Sequence, residues 1–189
     1  MPSPTTGELY VSAMAATQRY MDGVRDDQWH APTPNTEWDV KQVANHIIGE
    51  NLWAGELLHG KTIAEVGNKF DGDVAGSDPA AAYRASVSVA TEAVTAPGAM
   101  TVCHLSFGDF SGADYSAQLF LDLVIHGWDV AKATQQDTRL PPELVDACIP
   151  IAQQITAMAR STGVYGEDLP LSPDADQQTR LLALVGRRA

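Results

Sequence analysis

Apolar residues recur along most of this chain at intervals of three and four, the period of an amphipathic helix. Residues 6 to 27 (TGELYVSAMAATQRYMDGVRDD) place Leu9, Met14, Tyr20, Met21 and Val24 at helical spacing, with Thr5 or Thr6 as N-cap. Two prolines in HAPTPNTEW then break the pattern. A second helix starts near Asp39, where Val40, Val43, Ile47, Leu52, Leu57 and Leu58 keep the helical period and Gly60 supplies the stop. KTIAEVGNKFDGDVAGSDP is rich in Gly and Asp and reads as loop. A third helix runs from Asp78 or Pro79 to Ala96, with Asp78 as cap and Pro79 in the first turn.

Between Gly98 and Gly112 the pattern changes. MTVCHLSFGDFSG alternates and carries β-favouring residues, which predicts a short strand or an extended loop. A fourth helix covers Ala113 to about Thr134 and a fifth about Pro141 to Thr162. After Gly163 the chain reads as an ordered tail with a short helix between Asp176 and Leu184. Long helices with one extended insert predict an all-α fold, a helical bundle in which each apolar stripe is buried against its neighbours. Neither a repeat nor a low-complexity linker divides the chain, so residues 1–189 are expected to form a single domain with a tail over about 163–189.

Composition narrows the function. Apolar residues make up 44% of the chain and charged ones 19%, which favours a packed core over disorder. A net charge of −12 disfavours nucleic acid and anionic membranes as partners, because both reward clustered Lys and Arg. MPSPTTGELYVSAM lacks a basic start followed by an apolar run, and no segment approaches the roughly 20 apolar residues that span a bilayer, so a soluble, cytoplasmic protein is expected. Cys103 and Cys148 make no CxxC and are expected as buried free thiols, without a disulfide framework or thiolate metal cage.

The candidate chemistry lies in LFLDLVIHGWDVAKATQ. Asp122 and His126 stand among Leu121, Leu123, Val124 and Ile125, and a separation of about 6 Å along the helix axis lets them share one ion. His46 sits on the apolar face of the second helix with Val43 and Ile47, and can complete the set from across a bundle. Two imidazoles and a carboxylate leave a coordination position open, the pattern of a catalytic zinc site, or of ferrous iron when the geometry is facial. Such an ion depresses the pKa of a bound water or thiol.

Spacing alone leaves other readings open. A single His on an apolar face is more often a satisfied core residue than a ligand, and an Asp one turn before a His is commonly just a hydrogen-bonded partner. Glu50, Asp129 and His104 are competing donors, while His30 and His59 lie near helix ends and read as solvated. Arg84 is either solvated or a clamp for the carboxylate of a substrate or thiol. Trp38 reads as a hydrophobic staple at the start of the second helix, Trp53 as core or pocket wall, and Trp128 as part of a helix interface. The acidic loop before Asp78 lacks calcium-loop spacing.

The order of these segments is itself informative. TPNTEWDVKQVANHIIGENLWAGELLHG is similar to the second-helix signature of the actinobacterial branch of the DinB-like metal-binding proteins, which includes the mycothiol-dependent maleylpyruvate isomerases. DLVIHGWDVAKAT resembles that branch's fourth-helix signature, and DQQTRLLALVGRRA its C-terminus, so the resemblance runs from about Gly7 to Arg187. It implies a four-helix bundle holding a divalent metal, usually zinc with nickel or iron as alternatives, at the positions of His46, Asp122 and His126. The isomerases resemble one another in a Glu where this chain has Asp122, a reach shorter by about 1.5 Å. Asn35 stands where relatives often show Cys.

The activity implied is a metal-dependent transferase or isomerase. It would use a low-molecular-weight thiol, mycothiol, as cosubstrate against a small-molecule electrophile, and the likeness also implies a homodimer. A non-catalytic metal- or ligand-binding stress protein on the same bundle is the alternative, and a ferrous oxygenase is a third reading of the same ligands.

Overall fold

The computed structural model describes residues 3–99, 101–106, 108–161 and 169–189. Among these lie helices α1 (Thr6–Asp22), α2 (Val40–Leu57), α3 (Ile63–Val66), α4 (Pro79–Thr95), α5 (Gly112–Ala133), α6 (Pro142–Ser161) and α7 (Gln177–Leu184), with strands β1 (Val102–Leu105) and β2 (Gly108–Ser111) between α4 and α5. Helices α1 and α2 each pack on both α4 and α5, so the four close into a bundle with α1 and α2 at opposite corners. Helix α6 lies against α5 and α1, and α7 packs on α6. The fold is all-α, with a two-stranded hairpin as its extended insert.

Burial follows the apolar stripes. Tyr10 and Met14 of α1, Ile47 of α2, Phe120 and Trp128 of α5 and Leu181 of α7 are fully enclosed. A relay of buried polar groups runs between the helices, whereas Trp128 Nε1 and Ser116 Oγ are buried without a hydrogen-bond partner among the described residues. Tyr10 donates to Asn51, whose amide donates to Ser86 Oγ at 2.9 Å, and Ser86 in turn donates to the Tyr83 carbonyl at 2.8 Å. The Tyr83 hydroxyl closes the relay on the Met14 carbonyl at 3.0 Å, tying α1, α2 and α4 together at positions where an unpaired group would be costly. Helices α1 and α5 approach closely at Gly127, where an added Cβ would lie 2.7 Å from Thr17 Oγ1. The residue after His126 therefore has to be glycine for α5 to sit at this distance.

Two features differ from the sequence reading, and a third, the extended insert, is made more specific. The first helix stops at Asp22 rather than near residue 27. Gln136, from beyond α5, fills the space beside Gly23 and donates to the Tyr20 carbonyl at 2.9 Å, which caps the helix end, and the chain resumes in a short 3-10 turn at Asp26–Gln28. The stretch read as loop after Gly60 contains α3. Thr62 and Glu65 form a reciprocal capping box, with Glu65 N donating to Thr62 Oγ1 at 3.2 Å and Thr62 N to Glu65 Oε2 at 2.8 Å. The extended insert is an antiparallel hairpin with Cys103 opposite Phe110.

Elsewhere the reading holds. Helix α7 starts on Asp176, which accepts from Thr179 N at 2.7 Å, and α6 ends at Ser161, the expected Thr162 lying outside the described residues. Cys103 and Cys148 are buried free thiols. Among the described residues, no helix is long and apolar enough to cross a membrane.

Candidate metal centre

Two capped helices aim the polar groups. Helix α2 begins on a capping box in which Gln42 N donates to Asp39 Oδ1 at 2.8 Å and Asp39 N to Gln42 Oε1 at 2.9 Å, fixing the rotation that turns His46 inward. Helix α5 begins on Ser111, whose hydroxyl accepts from Asp114 N at 3.0 Å. One face of α5 then presents Asp122 and His126 toward α2. His46 Nε2 lies 2.9 Å from Asp122 Oδ2, and His126 Nε2 lies 3.4 Å from Asp122 Oδ1. The three donor atoms fall within 4.8 Å of one another. Zinc at about 2 Å from each ligand needs donors roughly 3.3 Å apart, so this set fits a divalent ion with small adjustments.

The far nitrogen of His126 is held from behind. His126 Nδ1 lies 3.0 Å from Asp129 Oδ2, and Asp129, with no exposed surface, also receives Arg187 Nη2 at 2.9 Å and Arg187 Nε at 3.3 Å. A carboxylate at Nδ1 keeps a proton there, so that Nε2, which faces Asp122, is the nitrogen that can serve a metal once it gives up its own proton. Asp129, weighed as a competing ligand, is thus an orienting partner. His104 is taken up by Asp109 at 2.7 Å on the hairpin, and exposed His30 by Asp39 at 2.9 Å. His59, just past the end of α2, meets the Gly55 carbonyl of that helix at 2.7 Å.

Trp38 does more than staple the start of α2. It packs on the Tyr20, Val40 and Val43 cluster, and its ring also lies 4.8 Å from the His46 ring and 5.5 Å from that of His126. On the other side the triad opens on a cavity of about 480 Å³. Leu57, Ile63, Leu119 and Ile125 give it apolar walls, Glu50, Tyr115 and Gln118 give it polar points, and Val185 and Arg187 close one side from the tail. Trp53 is a wall of this cavity and packs edge-on against Phe70. Trp128 sits in the helix interface, as its spacing predicts.

A family model described as the mycothiol maleylpyruvate isomerase N-terminal domain matches residues 11–131, a span that contains the whole triad and Asp129. The chain belongs to this family. It is similar to uncharacterised proteins of Mycobacterium tuberculosis, strains CDC 1551 / Oshkosh and ATCC 25618 / H37Rv, each 30% identical over 178 residues, 93% of this chain and 93% of the relative. No solved structure matches it. Helices α6 and α7, and Arg187 after them, lie beyond the residues that match the mycothiol maleylpyruvate isomerase N-terminal domain.

Charges at the triad are strongly coupled. Burial opposes ionisation of Asp122, but hydrogen bonds from His126 and His46 outweigh it and hold the carboxyl well below its usual range. For His126, burial pulls the pKa down, yet the bonds to Asp122 and Asp129 win and raise it to about 9. Glu50, one turn after His46, is shifted up by burial and then by the charge of Asp122.

The raised His126 pKa sets opposite pH trends for metal-free and metal-bound protein. An unfolded His titrates near about 6.5, so the stability from protonated His126 is complete below that pH and is lost as pH rises through about 9. Metal needs the same nitrogen unprotonated, so zinc affinity should climb by up to about tenfold per pH unit over this window. Melting temperatures and zinc competition titrations between pH 6.5 and 9 check the pair of trends; a metal-free melting temperature that rises with pH contradicts them.

Arg84 is not brought to the site. It is exposed on α4 and pairs with Asp22 of α1 at 2.5 Å, away from the cavity-lining residues. Arg84→Ala is therefore expected to change stability by no more than about 0.5 kcal/mol and to leave metal content unchanged, as read by calorimetry and elemental analysis.

Proposed function

We propose that this chain is a metal-dependent, thiol-using enzyme, with zinc as the ion best suited to its donors and mycothiol as the thiol its family suggests. The observation that carries this reading is the placement of His46, Asp122 and His126 on the wall of an open cavity large enough for a small molecule. Three protein ligands leave a position open, and nickel or ferrous iron could occupy the same set. A divalent ion held there would favour the thiolate of a small thiol, which with a pKa near 8.5 is mostly protonated at neutral pH.

The chain's own residues supply the rest. Asp129 and Arg187 hold the His126 ring in one orientation, and Trp38 packs on both imidazoles. Trp53, Leu57, Leu119 and Ile125 give the bond-forming region largely apolar surroundings. We assign to Glu50, which lines the cavity beside the triad, the uptake of the proton released by the thiol and its return to the substrate. In that scheme the sulfur–carbon bond forms as the π bond of an electron-poor alkene opens, and the proton goes to the adjacent carbon. No protein nucleophile is needed. Cys103 and Cys148 are buried and their thiols are pushed up by burial, so neither is suited to the role.

Thiol consumption by zinc-loaded protein, followed against a panel of electrophiles with and without mycothiol, tests the reading. Metal-dependent acceleration lost in His126→Ala supports it. Conjugation that persists after His126→Ala has removed the metal rejects it, and silence across the whole panel favours a binding protein on the same bundle.

A further inference from the structure

The cavity beside the triad is poorly equipped for anions. Among the described residues its only cationic side chain besides the two imidazoles is Arg187, and all three guanidinium nitrogens are engaged, Nε and Nη2 on Asp129 and Nη1 on the Val185 carbonyl. Its acidic groups, Glu50 and Asp122, point the other way, and a divalent ion's charge would be largely offset by these two carboxyls. The remaining walls are mostly apolar, Trp53, Leu57, Ile63 and Leu119 among them, and the other polar groups, Ser106, Tyr115 and Gln118, are uncharged side chains. A dicarboxylate entering here would find at most the metal for one of its charges, in competition with the thiol sulfur. Its second carboxylate would meet apolar side chains and at best neutral donors, with no free cation to pair with, an unfavourable place for a charge.

Maleylpyruvate, for which the family is described, is such a dicarboxylic acid. From the lining of this cavity we infer that this chain instead accepts an uncharged, largely apolar electrophile, such as an unsaturated ester or ketone, and discriminates against dicarboxylates. The inference deepens the proposed thiol chemistry and rests on that reading for the word electrophile; the discrimination itself is a property of the cavity. Gln118 is the position that decides it most economically. It is half-buried on the cavity wall, where a longer side chain can lie along apolar neighbours with its head toward the ligand.

The test separates binding from turnover. Diethyl succinate and succinate share a carbon skeleton and react with nothing here, so ligand-observed NMR titrations on the full chain, zinc-loaded and metal-free, read the cavity alone. The diester is expected to bind at least about tenfold more tightly than the dianion in both forms. Gln118→Arg should narrow or invert that ratio by supplying the missing cation. Succinate binding as tightly as the diester, or binding of neither, overturns the inference.

Diethyl maleate and maleate, offered with a thiol and normalised to their uncatalysed rates, then read the chemistry. A preference for the diester in turnover supports both proposals, and faster turnover of maleate overturns the cavity inference alone. Diester-selective binding without any turnover supports the cavity inference and sinks the thiol-transfer reading.

Discussion

Asp122→Ala is expected to empty the triad of metal. Elemental mass spectrometry on untagged wild-type protein should find about one equivalent of zinc, and less than about a tenth of that in Asp122→Ala or His46→Ala. Asp122 is the member in contact with both others, at 2.9 Å from His46 Nε2 and 3.4 Å from His126 Nε2, so its loss removes a ligand and the charge between two imidazoles whose rings are 5.0 Å apart. His126 should then titrate lower, since Asp122 is the chief cause of its raised pKa. Asp122→Asn separates charge from shape, keeping the packing while weakening metal retention. Asp122→Glu tests the departure from the isomerase pattern. The aspartate already reaches both imidazoles, so an extra methylene of about 1.5 Å has to displace the carboxylate or part the helices, and zinc should be held more weakly than by Asp122. Full metal content in Asp122→Ala, or none in the wild type after reconstitution with zinc, iron and nickel, would show three polar groups satisfied by one another.

The residues that could be read from sequence are those whose partners are close in the chain or lie on strongly periodic helices. Asp122 and His126 were legible because a helix converts a separation of four into a shared face, and His46 because α2 repeats its apolar residues without interruption. The bundle follows from the same stripes. Helix ends were harder where the cap comes from afar. Gln136 terminates α1 from more than a hundred residues away, and nothing in the local text of Met21 to Asp27 announces it. Helix α3 was different, because its signal, Thr62 followed three residues later by Glu65, stood in plain view inside a Gly-rich segment.

The surroundings of the triad were less legible than the triad. Asp129 looked like an alternative ligand because spacing gives the direction of a residue from the helix axis and not which ring nitrogen it meets. Trp38 precedes α2 and has no helical phase, so its stacking on two imidazoles depends on how the turn at residues 33–38 folds back. In that turn Thr33 Oγ1 donates to the carbonyls of Asn35 and Trp38, which leaves the Asn35 side chain without an assigned part. Arg84 was singled out as a cation in an Ala-rich helix, yet the cation that reaches the centre is Arg187. Its one textual hint was an arginine just past the apolar LLALVG, which α7 buries against α6.

Arg187→Ala should be the most damaging single change in the tail. Asp129 is completely enclosed, and its carboxylate is compensated by two guanidinium contacts and by His126. Breaking a buried pair by removing one partner costs about 3–5 kcal/mol because the other charge is left behind. For a chain of this size that corresponds to a fall in melting temperature of roughly 6–20 °C. The remaining compensation would come from a protonated His126, the form that cannot bind metal, so zinc affinity should also drop by about 10- to 100-fold. Arg187→Lys keeps a charge but loses the two-nitrogen contact and should recover only part of either property. Asp129→Asn combined with Arg187→Ala removes both charges, and should be more stable than Arg187→Ala alone while still binding zinc poorly. Scanning calorimetry and zinc competition on these variants decide the matter. Wild-type melting and affinity in Arg187→Ala would reduce the contact to surface decoration, whereas stability lost with affinity unchanged would make Arg187 a clamp for the tail with no part in orienting His126.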